Sequence, residues 1–426
     1  MPDFDTVIRS TRVVVPEGTE AADVAVREGR IEAVLPYRSI IGPPVSSDRP
    51  GRVEVERSGS QRPEGPGPRI VDLGDRPLLP GAVDLGTGVH APGEELARSY
   101  HRAGAAALRG GVTCMVVAPA PARPALTCAD SLQIHQRAAA GSPVAVAFLG
   151  GVNEGTGPLD LADLQAGGVV AFQASLSDGG APDMAALSDS GLRKAMVEIA
   201  TLDSLLIVHA EDATELGAPP ISAEQRPPRA ERRGLERVIS AARVVGARTH
   251  IAPFTAAECA ALLSAAEAAG VELGAQTCPH YLCLPSEFPG PDSPVRGCRP
   301  PLRSDANRKA LWSALLEPGS ALGTIGSGHL PAIGLYTLPW SLSALWTAAR
   351  RRNLTLSHLA RWTAQGPADL LGLARGRIQP GFEADLLAFD DDATTLVPED
   401  DPGPYAGMRL TGRVTRVWTG GREAHP

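Results

Sequence analysis

The chain has 426 residues, of which 43% are hydrophobic and 21% are charged, and its formal net charge is −8. This composition is typical of a globular protein with one large domain and a smaller one, and it excludes a repeat protein or a disordered chain. The acidic balance argues against nucleic acid as a partner, because no basic surface is available to neutralise phosphates.

No segment has the features of a targeting or membrane sequence. The opening stretch MPDFDTVIRSTRVVV is charged and alternating, without the apolar region of a secretion signal. No apolar stretch reaches the ~18 residues that a membrane-spanning helix needs. We therefore expect a cytoplasmic protein that contacts no membrane. The 6 cysteines form no CxxC pair, so we expect reduced thiols rather than disulfides or a zinc knot.

Both ends of the chain have the period of half-buried strands. Residues 6–35 alternate apolar and polar side chains between turn signals, and residues 376–422 do so again. The simplest interpretation is one small β-sandwich-like domain built from residues 1–70 and 375–426. Residues 38–68 are rich in Pro, Gly, Ser and Arg, which predicts a mobile loop.

Residues 71–374 have a different pattern, in which short apolar runs alternate with alanine-rich helical segments. Eight such β-then-α units predict a (β/α)8 TIM barrel rather than an open doubly wound sheet. An open dinucleotide-binding sheet would need GxGxxG after an early strand, and Gly86-Thr87-Gly88 has no third glycine in register. The predicted strands fall at 78–86, 113–119, 144–150, 168–176, 204–212, 248–254, 271–278 and 321–327.

The ends of these strands are where a barrel places its functional side chains. The first strand ends at Gly86-Thr87-Gly88, which offers no imidazole, carboxylate or thiol. The fifth ends at His209, followed by Glu211, and it alone combines a metal-ligand type with a carboxylate. Other strand ends present Gln173, Pro253, Cys278 with His280, and Gly328 with His329.

Several segments together resemble the cyclic amidohydrolases, specifically the dihydroorotase and allantoinase group. They are LLPGAVD, APGEE, GVVAFQASLSDGG, IVHAED, THIAPFTAAE, TCPHYL, RPPLRSDANRKALW and GRIQPGFEADLLAFD, in the family's order and spacing. The resemblance implies a barrel that hydrolyses a cyclic amide. In that family two divalent metals, bridged by a carboxylated lysine, supply the hydroxide that attacks the ring carbonyl.

The family's metal-binding pattern fails when it is carried onto this chain. Its ligand positions fall on Gly86, Gly88, Gln173, Pro253 and Gly328, and only His209 is kept. A catalytic zinc normally has three protein ligands. The resemblance therefore predicts that zinc is lost and that no metal cofactor is bound. The family's substrate contact after its first histidine pair falls on His90.

Three functional hypotheses follow. The leading one is a non-catalytic pseudoenzyme, acting as a subunit, scaffold or regulator. It would be a homo-oligomer, a dimer or tetramer, or a partner of another enzyme of nucleotide or ureide metabolism. The alternative is a metal-independent enzyme that opens or closes a cyclic amide or ureide C–N bond by acid/base catalysis. A third is a mononuclear hydrolase with rearranged ligands.

The metal-independent alternative assigns roles to particular residues. Its catalytic residues are His209, Glu211 and His329, and its substrate contacts are His90, Gln173, His280 and Arg299. Each also has a purely structural interpretation. His209 could be a buried imidazole that Glu211 satisfies, and Cys278 is a nucleophile only if a histidine lies within reach.

Overall fold

The computed structural model describes residues 4–40, 67–178, 184–217, 223–288, 290 and 293–425. Most of the loop predicted over 38–68 lies outside these residues. The strands, in chain order, are β1 Thr6–Val15, β2 Gly18–Arg27, β3 Arg30–Pro36, β4 Arg69–Asp72, β5 Leu78–Pro80, β6 Ala82–Thr87, β7 Val112–Val117, β8 Ala145–Gly151, β9 Ala171–Ser175, β10 Leu206–His209, β11 Thr249–Ile251, β12 Leu273–Thr277, β13 Leu322–Ile325, β14 Leu386–Leu396, β15 Arg409–Thr419 and β16 Arg422–Ala424.

The α-helices alternate with the strands through the middle of the chain. They are α1 Leu96–Arg109, α2 Ala129–Ala139, α3 Pro158–Ala166, α4 Asp189–Thr201, α5 Pro228–Val245, α6 Ala260–Ala268, α7 Pro279–Cys283, α8 Asp305–Leu316, α9 Ser341–Arg350, α10 Leu356–Ala360 and α11 Gly366–Leu370. Their apolar faces pack on the outside of the strands. In α1, for example, Tyr100, Ala103 and Ala107 recur at helical spacing and are buried.

The two ends of the chain share one sheet, as the sequence predicts. Its order is β16-β15-β14-β5-β1-β2-β3, with β4 paired to β1. Strands β14 and β5 run antiparallel, which joins the C-terminal part to the N-terminal part. The alternating side chains bury one face, where Ile8, Val24, Leu386 and Trp418 form a core of their own.

The strands from β6 to β13 form the predicted barrel. They lie side by side in chain order in an 8-stranded sheet, and each pairs in parallel with the next. Their inward side chains pack into a separate apolar cluster that also takes in Ala368 of α11. Because the interior is filled by side chains, only the ends of the strands are left to form a site.

The first and last strands of the barrel are joined through the side chain of Asp84. Its carboxylate accepts hydrogen bonds from the Ser327 backbone N–H at 2.5 Å, from the Ser327 hydroxyl at 2.7 Å and from the Thr87 hydroxyl at 2.6 Å. The Gly88 N–H donates to the His329 carbonyl at 2.8 Å. We call this set of contacts the seam. Burial raises the pKa of Asp84, although these hydrogen bonds oppose the shift.

Candidate functional site

A cavity of about 170 Å³ opens at the carboxyl ends of the barrel strands. Most of its lining is apolar, and the charged side chains that line it among the described residues are Asp178 and Arg299. The predicted residues Gln173, His209, His280, Arg299 and His329 all line it, together with Gly86, Pro253, Gln276, Cys278 and Gly328. The strand ends therefore do converge on one pocket.

His209 is held in the cavity wall by a buried carboxylate. Its Nε2 lies 3.0 Å from Glu211 Oε2. Glu211 is fully buried, and the same oxygen accepts a hydrogen bond at 2.5 Å from Nη1 of Arg226, which is also buried. Burial alone would raise the pKa of Glu211. The hydrogen bond from His209 and the charges of Arg226 and Arg303 act against burial, and the pKa is lowered.

This arrangement determines the tautomer of His209. Because Glu211 accepts from Nε2, neutral His209 carries its proton there and keeps a lone pair on Nδ1. Among the described residues, no hydrogen bond engages Nδ1. The ring is thus oriented by a buried anion while its second nitrogen stays available, which is the geometry a general base requires.

The environment of His329 differs from the one that a general base needs. Its Nδ1 accepts hydrogen bonds from the backbone N–H of Thr337 at 3.0 Å and of Leu338 at 3.4 Å. Burial, with a smaller effect of Arg102, lowers the pKa of His329 to about 3. The neutral ring therefore carries its proton on Nε2, and its geometry favours a hydrogen-bond donor over a base.

Cys278 and His280 lie against Gly328 at the end of β12. Burial raises the pKa of the Cys278 thiol well above its usual value, which makes a nucleophilic thiolate unfavourable. Burial also lowers the pKa of His280 to about 3, so this imidazole is neutral. The remaining predicted contacts are peripheral. His90 is absent from the cavity lining, and Arg299 is exposed at its edge.

The residues at the family's metal positions do not fit a two-metal centre. Gly86, Gly88 and Gly328 have no side chain, Pro253 has no donor atom, and the Gln173 amide cannot be carboxylated. In the part of the chain that the structure describes, no group of three or more His, Cys, Asp or Glu side chains could hold a metal ion. A β-carbon at Gly88 would lie 2.9 Å from the His329 carbonyl oxygen, so a histidine there would disturb the seam.

Gly328 gives a direct test of whether the metal aspartate could be restored. Its φ is +66°, and a β-carbon would lie 2.5 Å from His280 Cε1. Gly328→Asp should lower the free energy of unfolding by about 2–5 kcal/mol, combining left-handed strain with overpacking. Urea titration measures the loss. Gly141→Asp, at an exposed position with nothing within 4 Å, is the control. Equal stability of the two variants would contradict this account.

Sequence reasoning missed three contributors to the site. Arg226, which pairs with Glu211, lies in a QRPPR stretch that has no periodic signal. The seam joins Asp84 to Ser327, and nothing in the sequence indicates that pairing. Gln276 lines the cavity and was overlooked, although its inward position near the end of β12 could have identified it.

Comparisons with known proteins identify the family of this chain. The model of the amidohydrolase family matches residues 75–424. The chain belongs to the amidohydrolase family. A protein of Streptomyces avermitilis named allantoinase is 34% identical, over 99% of this chain and 96% of its own length. Another protein of that name, from Rubrobacter xylanophilus, is 30% identical, over 99% of this chain and 94% of its own length.

Solved structures confirm the fold of this amidohydrolase. L-hydantoinase (dihydropyrimidinase) from Arthrobacter aurescens superimposes with a TM-score of 0.84 at 23% identity, covering 99% of this chain and 96% of that one. Dihydropyrimidinase from Brevibacillus agri gives 0.82 at 22% identity, covering 98% and 94%. The predicted barrel with a β-domain from both termini is therefore confirmed.

The prediction of a non-catalytic scaffold or regulator is wrong. The chain matches, over nearly its whole length and at up to 34% identity, proteins that are named for a catalytic activity. Replacement of the family's ligand positions bears on the two-metal centre and does not by itself exclude other chemistry. In their place the site has an ordered seam and a histidine oriented by Glu211. The sequence did not reveal either feature.

The buried histidines of this amidohydrolase predict a marked acid sensitivity. Burial lowers the pKa of His250, His280 and His329 to about 3 each. The unfolded chain takes up these protons below about pH 6.5, whereas the native state does not. Stability should therefore fall on acidification from pH 6.5 towards 3, by about 1.4 kcal/mol per pH unit for each histidine.

Urea titrations at pH 7, 6 and 5 measure this slope. His250→Gln is the matched variant, because His250 bonds Thr324 at 3.0 Å away from the cavity lining, and it should reduce the slope by about 1.4 kcal/mol per pH unit. Unchanged stability between pH 7 and 5 would show that these imidazoles are not held neutral in the native state.

Proposed function

We propose that this amidohydrolase opens or closes the C–N bond of a cyclic amide or ureide ring, using acid/base catalysis by His209, which Glu211 orients. The observation that carries the proposal is the His209 imidazole, which lines the cavity while Glu211 holds its Nε2 at 3.0 Å. The names of the relatives support the substrate class, because allantoinase and hydantoinase both denote enzymes of cyclic ureides.

In the ring-opening direction, a water molecule supplies the nucleophile. His209 Nδ1 takes a proton as the water oxygen bonds to the ring carbonyl carbon. The C–N bond then breaks, and the proton on His209 passes to the departing ring nitrogen. The products are an open-chain carboxyl group and an N–H group, and ring closure is the reverse with release of water. Glu211 stabilises the imidazolium that exists between the two transfers.

A hydrogen-bond donor is needed where negative charge develops on the carbonyl oxygen. His329 lines the cavity and, because its Nδ1 accepts from Thr337, carries its proton on Nε2. We assign it this donor role. A neutral imidazole can stabilise an oxyanion without becoming the acid that loses its proton.

We further propose that no resident metal takes part. The support is the donor set itself, since His209 is the one family ligand that remains and the space beside Gly328 is occupied by His280 and Cys278. The predicted homo-oligomer, partner enzyme and cytoplasmic location stay predictions. No helix among the described residues is both long and apolar enough to cross a membrane.

The test combines metal analysis with a turnover screen of purified full-length protein. The panel contains allantoin, hydantoin, dihydrouracil and dihydroorotate, assayed for ring opening and, with the open-chain compounds, for closure. We expect turnover of at least one ring, unchanged after chelation, in protein that holds far less than one metal per chain. Failure to turn over any ring, or activity that rises in proportion to one bound metal, would overturn the proposal.

A further inference from the structure

Two glutamines, Gln276 and Gln173, line the cavity among mostly apolar neighbours. Gln276, on β12, is 4% exposed, and Gln173, on β9, is half-buried. The Oε1 atoms of both are buried, and neither has a hydrogen-bond partner within the described part of the chain. Buried acceptors of this kind are uncommon, and each calls for a donor that is brought in from elsewhere.

The orientation of Gln276 is fixed by the barrel. Its Nε2 donates to the Leu85 carbonyl at 2.9 Å, and this hydrogen bond joins β12 to β6 beside the seam. Rotating the amide would place its oxygen against that carbonyl oxygen, so Oε1 is committed to the acceptor role. The acceptor is therefore positioned before any ligand arrives, and a ligand does not have to order it.

The surroundings define which donor is suitable. Leu85, Leu149 and Ile207 line the same cavity and offer no hydrogen bond from their side chains. A neutral amide oxygen accepts a hydrogen bond from an uncharged N–H group. The matching group is an uncharged N–H donor on a compact ring.

We propose that Gln276 and Gln173 recognise the ring nitrogens of the substrate, so that the cavity selects cyclic ureides with free ring N–H groups. The Gln276 oxygen accepts from one ring N–H, and the Gln173 amide accepts from another. Rings that are alkylated at these nitrogens are rejected. This inference rests on the proposed function for its substrate class, and it adds the residues that choose among such rings.

The first experiment leaves the protein unchanged and varies the ligand. Isothermal titration calorimetry compares hydantoin with its 1-methyl and 3-methyl derivatives. We expect at least one methyl derivative to bind at least about tenfold more weakly than hydantoin, because the methyl group leaves a glutamine acceptor without its donor. Equal affinity for hydantoin and both methyl derivatives would overturn the inference.

The second experiment replaces the two glutamines. Gln276→Met and Gln173→Met remove the amides at similar volume, and each should reduce the preference for hydantoin over the methyl derivatives. Gln136→Met is the control, since Gln136 is exposed and bonds Gly167. Should Gln276→Met fail to fold without its bond to Leu85, Gln173→Met and the ligand series decide the question.

Binding and turnover separate this inference from the proposed function. Selective binding without turnover supports the glutamine assignment and counts against the catalytic proposal. Turnover with no selectivity for free N–H groups rejects the glutamine assignment alone. If no ring in the series binds, the glutamine assignment is overturned.

Discussion

His209→Ala should lower the turnover of the preferred ring by about 10²–10⁴-fold, the range expected when a general base is removed. The loss should appear mainly in kcat, because His209 acts on the water and the departing nitrogen rather than on ring binding. The fold should survive, since Glu211 keeps its bond to Arg226 when the imidazole is gone. Steady-state kinetics and circular dichroism measure the two properties.

His101→Ala is the matched control for that substitution. His101 is an exposed histidine on α1 that contacts the Gly141 carbonyl at 3.2 Å and is absent from the cavity lining. Its replacement should leave turnover within about twofold of the unmodified protein, since surface substitutions rarely have large effects. Full turnover by His209→Ala on every ring in the panel would eliminate the acid/base mechanism.

Arg226→Met should destabilise the protein by about 3–5 kcal/mol, as breaking one side of a buried ion pair typically does. Arg226 is 3% exposed and Glu211 is fully buried, so water cannot replace the lost guanidinium. Among the described residues, His209 would be the hydrogen-bond partner that Glu211 keeps. Urea titration at pH 7 gives the change in unfolding free energy, and activity should fall as well because Glu211 orients His209.

Arg229→Met provides the comparison on the same segment. Arg229 pairs with Glu215 at 2.8 Å, but their side chains are 69% and 33% exposed. Solvent screening limits such a pair to about 0–1 kcal/mol. If both arginine variants lost a similar amount of unfolding free energy, burial of the Arg226–Glu211 pair would not determine how much that pair stabilises the protein.

The fold could be predicted from the sequence because its signals are local and repeated. Short apolar runs between alanine-rich segments mark each barrel strand, and alternation marks the terminal strands. These periods depend on neighbouring residues, so they survive without any knowledge of long-range contacts. Family resemblance then supplied the order of the strand ends, and the structure places His209, His280 and His329 in the lining of one pocket.

The chemistry of the site was harder to predict because it depends on contacts between distant residues. Arg226 and Glu211 meet through an irregular segment, and Gln276 finds the Leu85 carbonyl 191 positions away. Absence of the family's ligands was visible at Gly86 and Gly328. The sequence does not show which side chains occupy the space of the missing ligands. Missing ligands therefore did not imply missing activity.

The seam links closure of the barrel to formation of the pocket. Asp84 and Ser327 are separated by 243 positions, so their bonds require every intervening strand to be in place. The cavity lies directly above this junction and includes residues from both sides of it. Completion of the barrel and creation of the binding site are therefore a single event, and a ring that binds there stabilises the entire closed barrel by mass action.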